Sequence, residues 1–238
     1  MEERYSRQIA FRGIGEHGQR ALQDSRVAIV GLGALGTVAA DRLCRAGVGY
    51  LRLIDNDAVE LSNLHRQSLY TEKDIGKPKA DTSAARLKET NSGITIEPIN
   101  ARLANKHDLM LSGIDLVIDC TDNAAARYMI NEICYGLGIP WVHGAAAGSG
   151  GSVFAIEPGG ACFRCLYPDE DAARVGDSAA TLGMLNSLTA VVGALEASEA
   201  LKILIGAPTF GLLMLDIWNG AFELVDMRRD PNCPVCGG

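Results

Sequence analysis

Three glycines in the spacing Gly31-x-Gly33-x-x-Gly36 follow the short apolar run Arg26 to Val30 and open a helical pattern that continues to Ala46. A turn of this kind lets backbone approach a phosphate, and the N–H groups and dipole of the helix it opens favour the anion. Asp55 follows the next apolar run, Tyr50 to Ile54, where a carboxylate can accept hydrogen bonds from ribose hydroxyls. The fingerprint suits NAD and ATP alike, and by itself it also describes a tight turn with no ligand.

The residues beyond the turn narrow the chemistry. Asp55-Asn56-Asp57 leads into Glu60-Leu61-Ser62-Asn63-Leu64-His65-Arg66-Gln67, then Gly76-Lys77-Pro78-Lys79, and later Asp119-Cys120-Thr121-Asp122-Asn123. Arg66 and Lys79 supply cations beside a nucleotide-phosphate site, and Asp122 supplies an acid able to hold Mg2+. Such a set stabilises charge in nucleotidyl or phosphoryl transfer, and a nicotinamide-dependent oxidoreductase has no need of it. Taken singly, Arg66 and Lys79 read as solvated surface charges and Asp122 as a helix N-cap. Their order after a glycine turn favours the transfer chemistry.

Cys162-x-x-Cys165 and Cys233-x-x-Cys236 form a second constellation. Four thiolates can close a tetrahedral zinc site, and the long gap between the pairs fits a metal that pins the tail to a central loop. A redox dithiol competes, but one active pair does not explain two. Zinc held by four protein ligands has no open position, so no catalysis is assigned to it. Cys44, Cys120 and Cys134 fall in helical or buried-strand patterns and read as packed thiols. His17, His65, His107 and His143 lack metal-ligand spacing, and His65 alone lies within a motif.

Composition sets the frame for these groups. The chain has 238 residues, 47% hydrophobic and 21% charged, with 27 Gly and 8 Pro. That is the balance of a soluble α/β protein and excludes collagen, coiled coil and low-complexity polymer. Net charge −7 gives no compositional support for a basic nucleic-acid-binding surface. The charged start Met1-Glu2-Glu3-Arg4 predicts no secretory leader, and the apolar stretch Leu188 to Ile205 carries Glu196, Glu199 and Lys202, so it reads as a core-facing helix and not a membrane span. A cytoplasmic protein is expected, where seven cysteines point to metal and packing roles.

The elements that must position the chemistry can be read from periodicity. A short arm and a second helix occupy the first 24 residues. Strands are expected at Arg26–Val30, Tyr50–Ile54, Ile94–Ile99, Ile114–Asp119 and Ile139–His143, with helices through Ala46, at Lys79–Thr90 and at Asn123–Leu137. This alternation predicts a mostly parallel sheet with helices on both faces. The Gly/Ala/Ser tract Gly144 to Gly151 reads as tight backbone leading to a strand at Ser152–Ile156, followed by a long loop to Thr181. A helix at Leu182–Ile205 precedes two strands, Leu212–Ile217 and Phe222–Asp226, around the turn signal Asn219-Gly220, which extend the sheet antiparallel. The whole chain, 1–238, reads as one domain.

Together, Arg4-Tyr5-Ser6-Arg7-Gln8-Ile9, Gly31 to Gly36, Asp55 to Gln67, Gly76 to Lys79, Asp119 to Asn123 and the two cysteine pairs resemble the ThiF/MoeB/HesA family of E1-like adenylyltransferases across nearly the whole chain. The resemblance implies a homodimer with a Rossmann-like ATP domain. With ATP and Mg2+ it would activate the C-terminal glycine of a ubiquitin-like sulfur-carrier protein ending in Gly-Gly. It assigns Asp55 to ribose, Asn63, Arg66 and Lys79 to the triphosphate, and Asp122 to metal and α-phosphate with Asn123 beside it. Gly31, Gly33, Ala34, Gly36, Asp57, Ser62, Leu64 and His65 complete the expected nucleotide site, although Ala34 stands where the family often has glycine. Arg7 would reach the partner subunit's ATP. An N-terminal arm (1–24), a nucleotide-binding half (25–143) and a carrier-binding and zinc half (144–238) are implied.

Relatives that form a covalent sulfur or thioester link use a cysteine in the loop before the long helix. Here Ala173 to Met184 contains none, and Ser178 is the nearest hydroxyl. The pattern therefore resembles the MoeB branch, which stops at the adenylate for molybdopterin or thiamin type sulfur transfer. Without room for an appended rhodanese domain, sulfur would come from a separate donor, a cysteine desulfurase or rhodanese. Three other readings stand beside this one: a non-catalytic binding subunit of the same fold, an adenylating enzyme acting on a peptide or tRNA nucleoside, and the oxidoreductase. Gly237-Gly238 reads as a flexible end.

Overall fold

A computed structural model describes residues 2–104, 109–169 and 182–237. His107, Ser178, Gly238 and most of the 173–184 loop lie outside the described residues. The chain order is α1 (Glu2–Ile9), α2 (Gly15–Asp24), β1 (Arg26–Val30), α3 (Gly36–Ala46), β2 (Tyr50–Ile54), α4 (Lys79–Thr90), β3 (Thr95–Ile99), β4 (Leu116–Asp119), α5 (Ala124–Leu137), β5 (Trp141–Ala147), β6 (Gly150–Ile156), α6 (Phe163–Leu166), α7 (Asn186–Leu204), β7 (Leu212–Asp216) and β8 (Ala221–Val225).

All the strands join one eight-stranded sheet in the order β3-β2-β1-β4-β5-β6-β7-β8. Neighbours from β3 to β5 run parallel. Those from β5 to β8 run antiparallel, the β7–β8 hairpin turning through Asn219-Gly220 as its sequence requires. The central strands are apolar on both faces because both faces are covered. Val27 and Ile29 of β1 point into one core with α2, α3, α4 and α7. Ala28 and Val30, the alternate residues, enter a second core with α5, α6 and the cysteine loops. No helix among the described residues is long and apolar enough to cross a membrane.

One stretch departs from the periodicity reading. The strand expected to stop at His143 continues to Ala147, and its partner starts at Gly150, so the Gly/Ala/Ser tract is the heart of a hairpin in register from Trp141↔Ile156 to Ala147↔Gly150. Low strand propensity hid it. Its glycines serve close packing instead: a Cβ on Gly144 would lie 2.3 Å from the Glu196 carboxyl, and one on Gly151 would lie 2.8 Å from Val192. Helix α7 therefore sits tightly on the sheet with Glu196 and Glu199 wholly buried. It starts at Asn186, not Leu182, and β3 and β4 each start slightly later than expected. Glu199 accepts the Phe210 N–H at 2.8 Å and pairs with Lys202 at 2.5 Å. Burial, reinforced by nearby Asp119, pushes the Glu196 carboxyl well above the usual range, which keeps it neutral.

Candidate nucleotide site and cysteine centre

The chain leaves β1 toward β2 on one side and returns to β4 on the other, so strand order reverses between β1 and β4. In open parallel sheets the crevice beyond the carboxyl ends of such strands is where ligands bind. The chemistry-bearing segments converge there: Gly31–Gly36 after β1, Asp55 and Asp57 after β2, Lys79 opening α4, and Cys120–Asn123 after β4.

The three glycines have different causes. Gly31 has φ +90°, and a Cβ on it would meet the Cys120 carbonyl oxygen at 2.7 Å. A Cβ on Gly36 would lie 1.9 Å from the Gly31 oxygen. The fold itself demands these two. Around Gly33 only Gln67 Nε2, at 3.8 Å, comes within range. Its bare face opens on space that a side chain would fill, which is what a phosphate-binding turn needs. Ala34 has negative φ, so its methyl adds no backbone strain. The N-cap residue of α3, Leu35, offers no side-chain cap to the first turn.

Asp55 braces the loop. One carboxylate oxygen accepts the Leu32 N–H and the other the Asp57 N–H, both at 2.7 Å. Each oxygen keeps capacity for a further donor such as a ribose hydroxyl. Lys79 Nζ lies 3.1 Å from Asp57 Oδ2; the lysine side chain is 8% exposed and the aspartate 56%. Tyr70 ties loop to helix by donating to Leu32 O at 2.9 Å and meeting Ser83 Oγ at 2.9 Å.

The segment from Glu60 to Gln67 is a 3-10 turn followed by tight turns. Asn63 is buried and donates to Ser62 Oγ at 3.0 Å, while Leu64 packs into the core. Arg66 Nη1 donates to Ser62 O at 2.9 Å and lies 2.8 Å from His65 Nε2, with no ion pair among the described residues. His65 is exposed, and its carbonyl accepts Asn186 Nδ2 at 3.2 Å from the start of α7.

After β4, the helix cap falls to Asn123, whose Oδ1 accepts the Ala126 N–H at 2.9 Å. Asp122 is thereby released from the capping role that its position allowed, and it stands exposed. Its turn is pinned from below. Asp119 Oδ1 accepts the Thr121 N–H at 3.0 Å and the Thr121 hydroxyl at 2.6 Å, and Oδ2 faces His143 Nδ1 at 2.8 Å. Arg127 donates to Thr121 O at 3.0 Å. Burial would raise the Asp119 carboxyl, but the His143 hydrogen bond, with Arg127 and Thr121, holds it below the ordinary range. Burial lowers His143, leaving an ionised acid and a neutral imidazole that donates. Sequence reading gave these two no role. Their signal was faint: polar residues on neighbouring parallel strands that turn out to be register partners, Asp119↔His143.

Arg7 lies elsewhere. Helix α1 is anchored at the far ends of α3 and α4, through Gln8 Nε2 to Ala46 O at 2.8 Å, Arg4 to Thr90 O at 3.0 Å and Asn91 to Tyr5 Oη at 2.9 Å. The 11 residues of α3 span about 16 Å, so Arg7 belongs to a helix at the opposite end of α3 from its own Gly31–Gly36 loop.

The four predicted cysteines do converge, with all four Sγ atoms within 4.8 Å of one another. Cys162 and Cys233 are 3.6 Å apart, and Cys165 and Cys236 3.4 Å. These separations exceed any disulfide and approach the ~3.8 Å edge of a tetrahedron with zinc–sulfur bonds of about 2.3 Å. Asp230 N–H reaches Cys165 Sγ at 3.4 Å, and Asn131 Nδ2 reaches Cys162 Sγ at 3.7 Å. Burial raises the Cys233 thiol, but N–H groups of Cys236 and Val235 outweigh it and bring it down to about 7. This donor set fits zinc. Gly237 belongs to the knuckle and not to a loose end: its N–H donates to Cys233 O at 2.8 Å, and a Cβ would lie 2.5 Å from Cys233 N.

Residues 5–235 match the ThiF family. The SAMP-activating enzyme E1 of Haloferax volcanii is 41% identical over 240 residues, 99% of this chain and 88% of that protein. The molybdopterin-synthase adenylyltransferase of Escherichia coli is 42% identical over 243 residues, 98% of this chain and 96% of that protein. Among solved structures, E. coli MccB with ATP is similar with a TM-score of 0.87 at 24% identity, covering 100% of this chain and 74% of the other, a likeness of fold.

Proposed function

Since the chain belongs to the ThiF family, we propose that it is an adenylyltransferase that uses ATP to activate the C-terminal glycine of a ubiquitin-like sulfur-carrier protein as an acyl-adenylate, releasing pyrophosphate. The observation that carries this reading is the switch-point crevice, where the open face of Gly33, the braced Asp55, the cation Lys79 and the exposed carboxylate of Asp122 share the carboxyl ends of parallel strands, with Arg66 on the loop that leads from β2 to Lys79. Relatives named for activating SAMP and for adenylating molybdopterin synthase support a carrier as acceptor.

The carrier's terminal carboxylate is ionised at neutral pH, so its attack on the α-phosphorus needs no general base. The bond formed is carboxyl oxygen to phosphorus; the bond broken joins the α-phosphorus to the oxygen that leaves with pyrophosphate. The enzyme positions the two reactants and offsets the charge that develops. Asp55 orients the ribose while holding the loop through Leu32 and Asp57. Lys79 exchanges its Asp57 contact for phosphate oxygens, and Arg66 adds a second cation. Mg2+ neutralises phosphate charge when bound, and Asp122 is the residue that would hold it; one carboxylate plus substrate phosphates is an ordinary magnesium site. Zinc on Cys162, Cys165, Cys233 and Cys236 is structural. A separate protein donates the sulfur.

Asp55→Ala is expected to weaken ATP binding by about tenfold or more, because a hydrogen bond to a charged acceptor and the loop brace are lost together; calorimetric titration with Mg-ATP checks this. The position of Arg7 supports a homodimer in which this arginine serves the other subunit's site. Arg7→Ala and Asp122→Ala proteins, each inactive alone, should regain partial activity on mixing, because a mixed dimer holds one intact site. Failure with mixed dimers confirmed by mass would remove the claim. The function as a whole is tested by ATP–pyrophosphate exchange with a panel of carriers ending in Gly-Gly. Exchange that depends on one carrier is the expected result, and silence with all of them from ATP-binding, zinc-replete protein would overturn the reading.

A further inference from the structure

Gln67 has no role in the site as described so far. It is 4% exposed, its Oε1 is buried with no hydrogen-bond partner among the described residues, and its Nε2 lies 3.8 Å from where a Cβ on Gly33 would stand, the one contact there from a described residue beyond Gly33's chain neighbours. We propose that the Gln67 carboxamide is a nucleotide-binding group whose Nε2 donates to a phosphate oxygen seated over Gly33. The proposal rests on the ATP reading above.

A buried acceptor left unpaired is a net cost to the fold, and an apolar side chain of the same length would fill the space without it. The amide is therefore not explained by packing. What it offers is a neutral donor at the rim of Gly33, which, unlike Gly31 and Gly36 of the same turn, has no backbone pressed against the place of a Cβ. The orientation is the useful one, because the acceptor end is turned inward and the donor end faces the place for an anion. The backbone on either side is fixed: Gln67 N–H donates to Asn63 O at 3.1 Å and Gln67 O accepts the Tyr70 N–H at 3.3 Å. Tyr70 in turn grips Leu32 O within the glycine loop at 2.9 Å. Side chain and loop thus keep a set distance. Arg66 and Lys79 bring full charges to the phosphates; Gln67 adds a directional contact at the turn itself.

The test compares wild-type protein with Gln67→Met and Gln67→Glu, measuring Mg-ATP and adenosine affinity by calorimetry and the thermal midpoint without nucleotide. Gln67→Met should weaken ATP binding about tenfold, leave adenosine binding unchanged, and leave the nucleotide-free midpoint equal or higher. Gln67→Glu should bind ATP more weakly still, since its carboxylate faces the phosphate. Wild-type ATP affinity in Gln67→Met, or a Gln67→Met protein that fails to fold, would make the residue purely structural and overturn the inference alone. Wild-type protein that binds no ATP would overturn the functional reading, and this inference with it.

Discussion

Asp122→Ala is expected to lower carrier-dependent ATP–pyrophosphate exchange by about 10²–10³-fold, the usual cost of removing one preorganised electrostatic group, while ATP affinity changes by only a few fold. The separation of the two effects follows from the turn. Asn123 caps α5, Asp119 and Arg127 hold Thr121, and the Asp122 carboxylate stands exposed above them. Deleting it removes only a long, exposed contact from Asn123 Nδ2 at 3.4 Å, so stability should stay within about 0.5 kcal/mol of wild type. Ground-state binding stays with Asp55, Arg66 and Lys79. Asp122→Asn keeps the shape and loses the charge, and should be nearly as slow as the alanine variant. Full exchange in either variant would refute the proposed mechanism.

Loss of the metal should have the second large effect, and on stability. The protein is expected to carry one zinc per chain, measurable by elemental analysis. Stripping it, or substituting Cys233→Ser, should lower the thermal midpoint by on the order of 10 °C. The cysteine cluster belongs to the core of α5 and α6, on the face of the sheet opposite α3, α4 and α7. ATP affinity at low temperature should accordingly change less than about twofold. A metal-free protein with an undiminished midpoint would argue for the dithiol reading.

How much of this was legible in the sequence depended on how local the cause was. Gly31 and Gly36 could be read because turn chemistry is local, and the cysteine pairs because ligand spacing within each is local. The hairpin through Gly144 and Gly151 could not, because its cause is two α7 residues remote in sequence: glycine here leaves room for Glu196 and Val192. Asp119 and His143 became partners only when two strands paired. Asp122 could be placed near the site from its motif, but its freedom to act depended on Asn123 taking the cap. The Gln67 side chain has no function legible in its motif, since an unpaired oxygen is visible only once everything around it has been placed.

The knuckle also bears on the order in which the molecule is assembled during synthesis. Strands β1 to β5, the glycine loop and α7, which packs on one face of them, are all made before Cys233. Cys162 and Cys165, by contrast, must wait for α7, β7 and β8 to be made before their two partner thiols arrive. The nucleotide crevice can therefore form early, and metal capture becomes a late clasp that closes a long loop. Zinc-starved cells should accumulate a species able to bind ATP yet open to proteases between the two cysteine pairs.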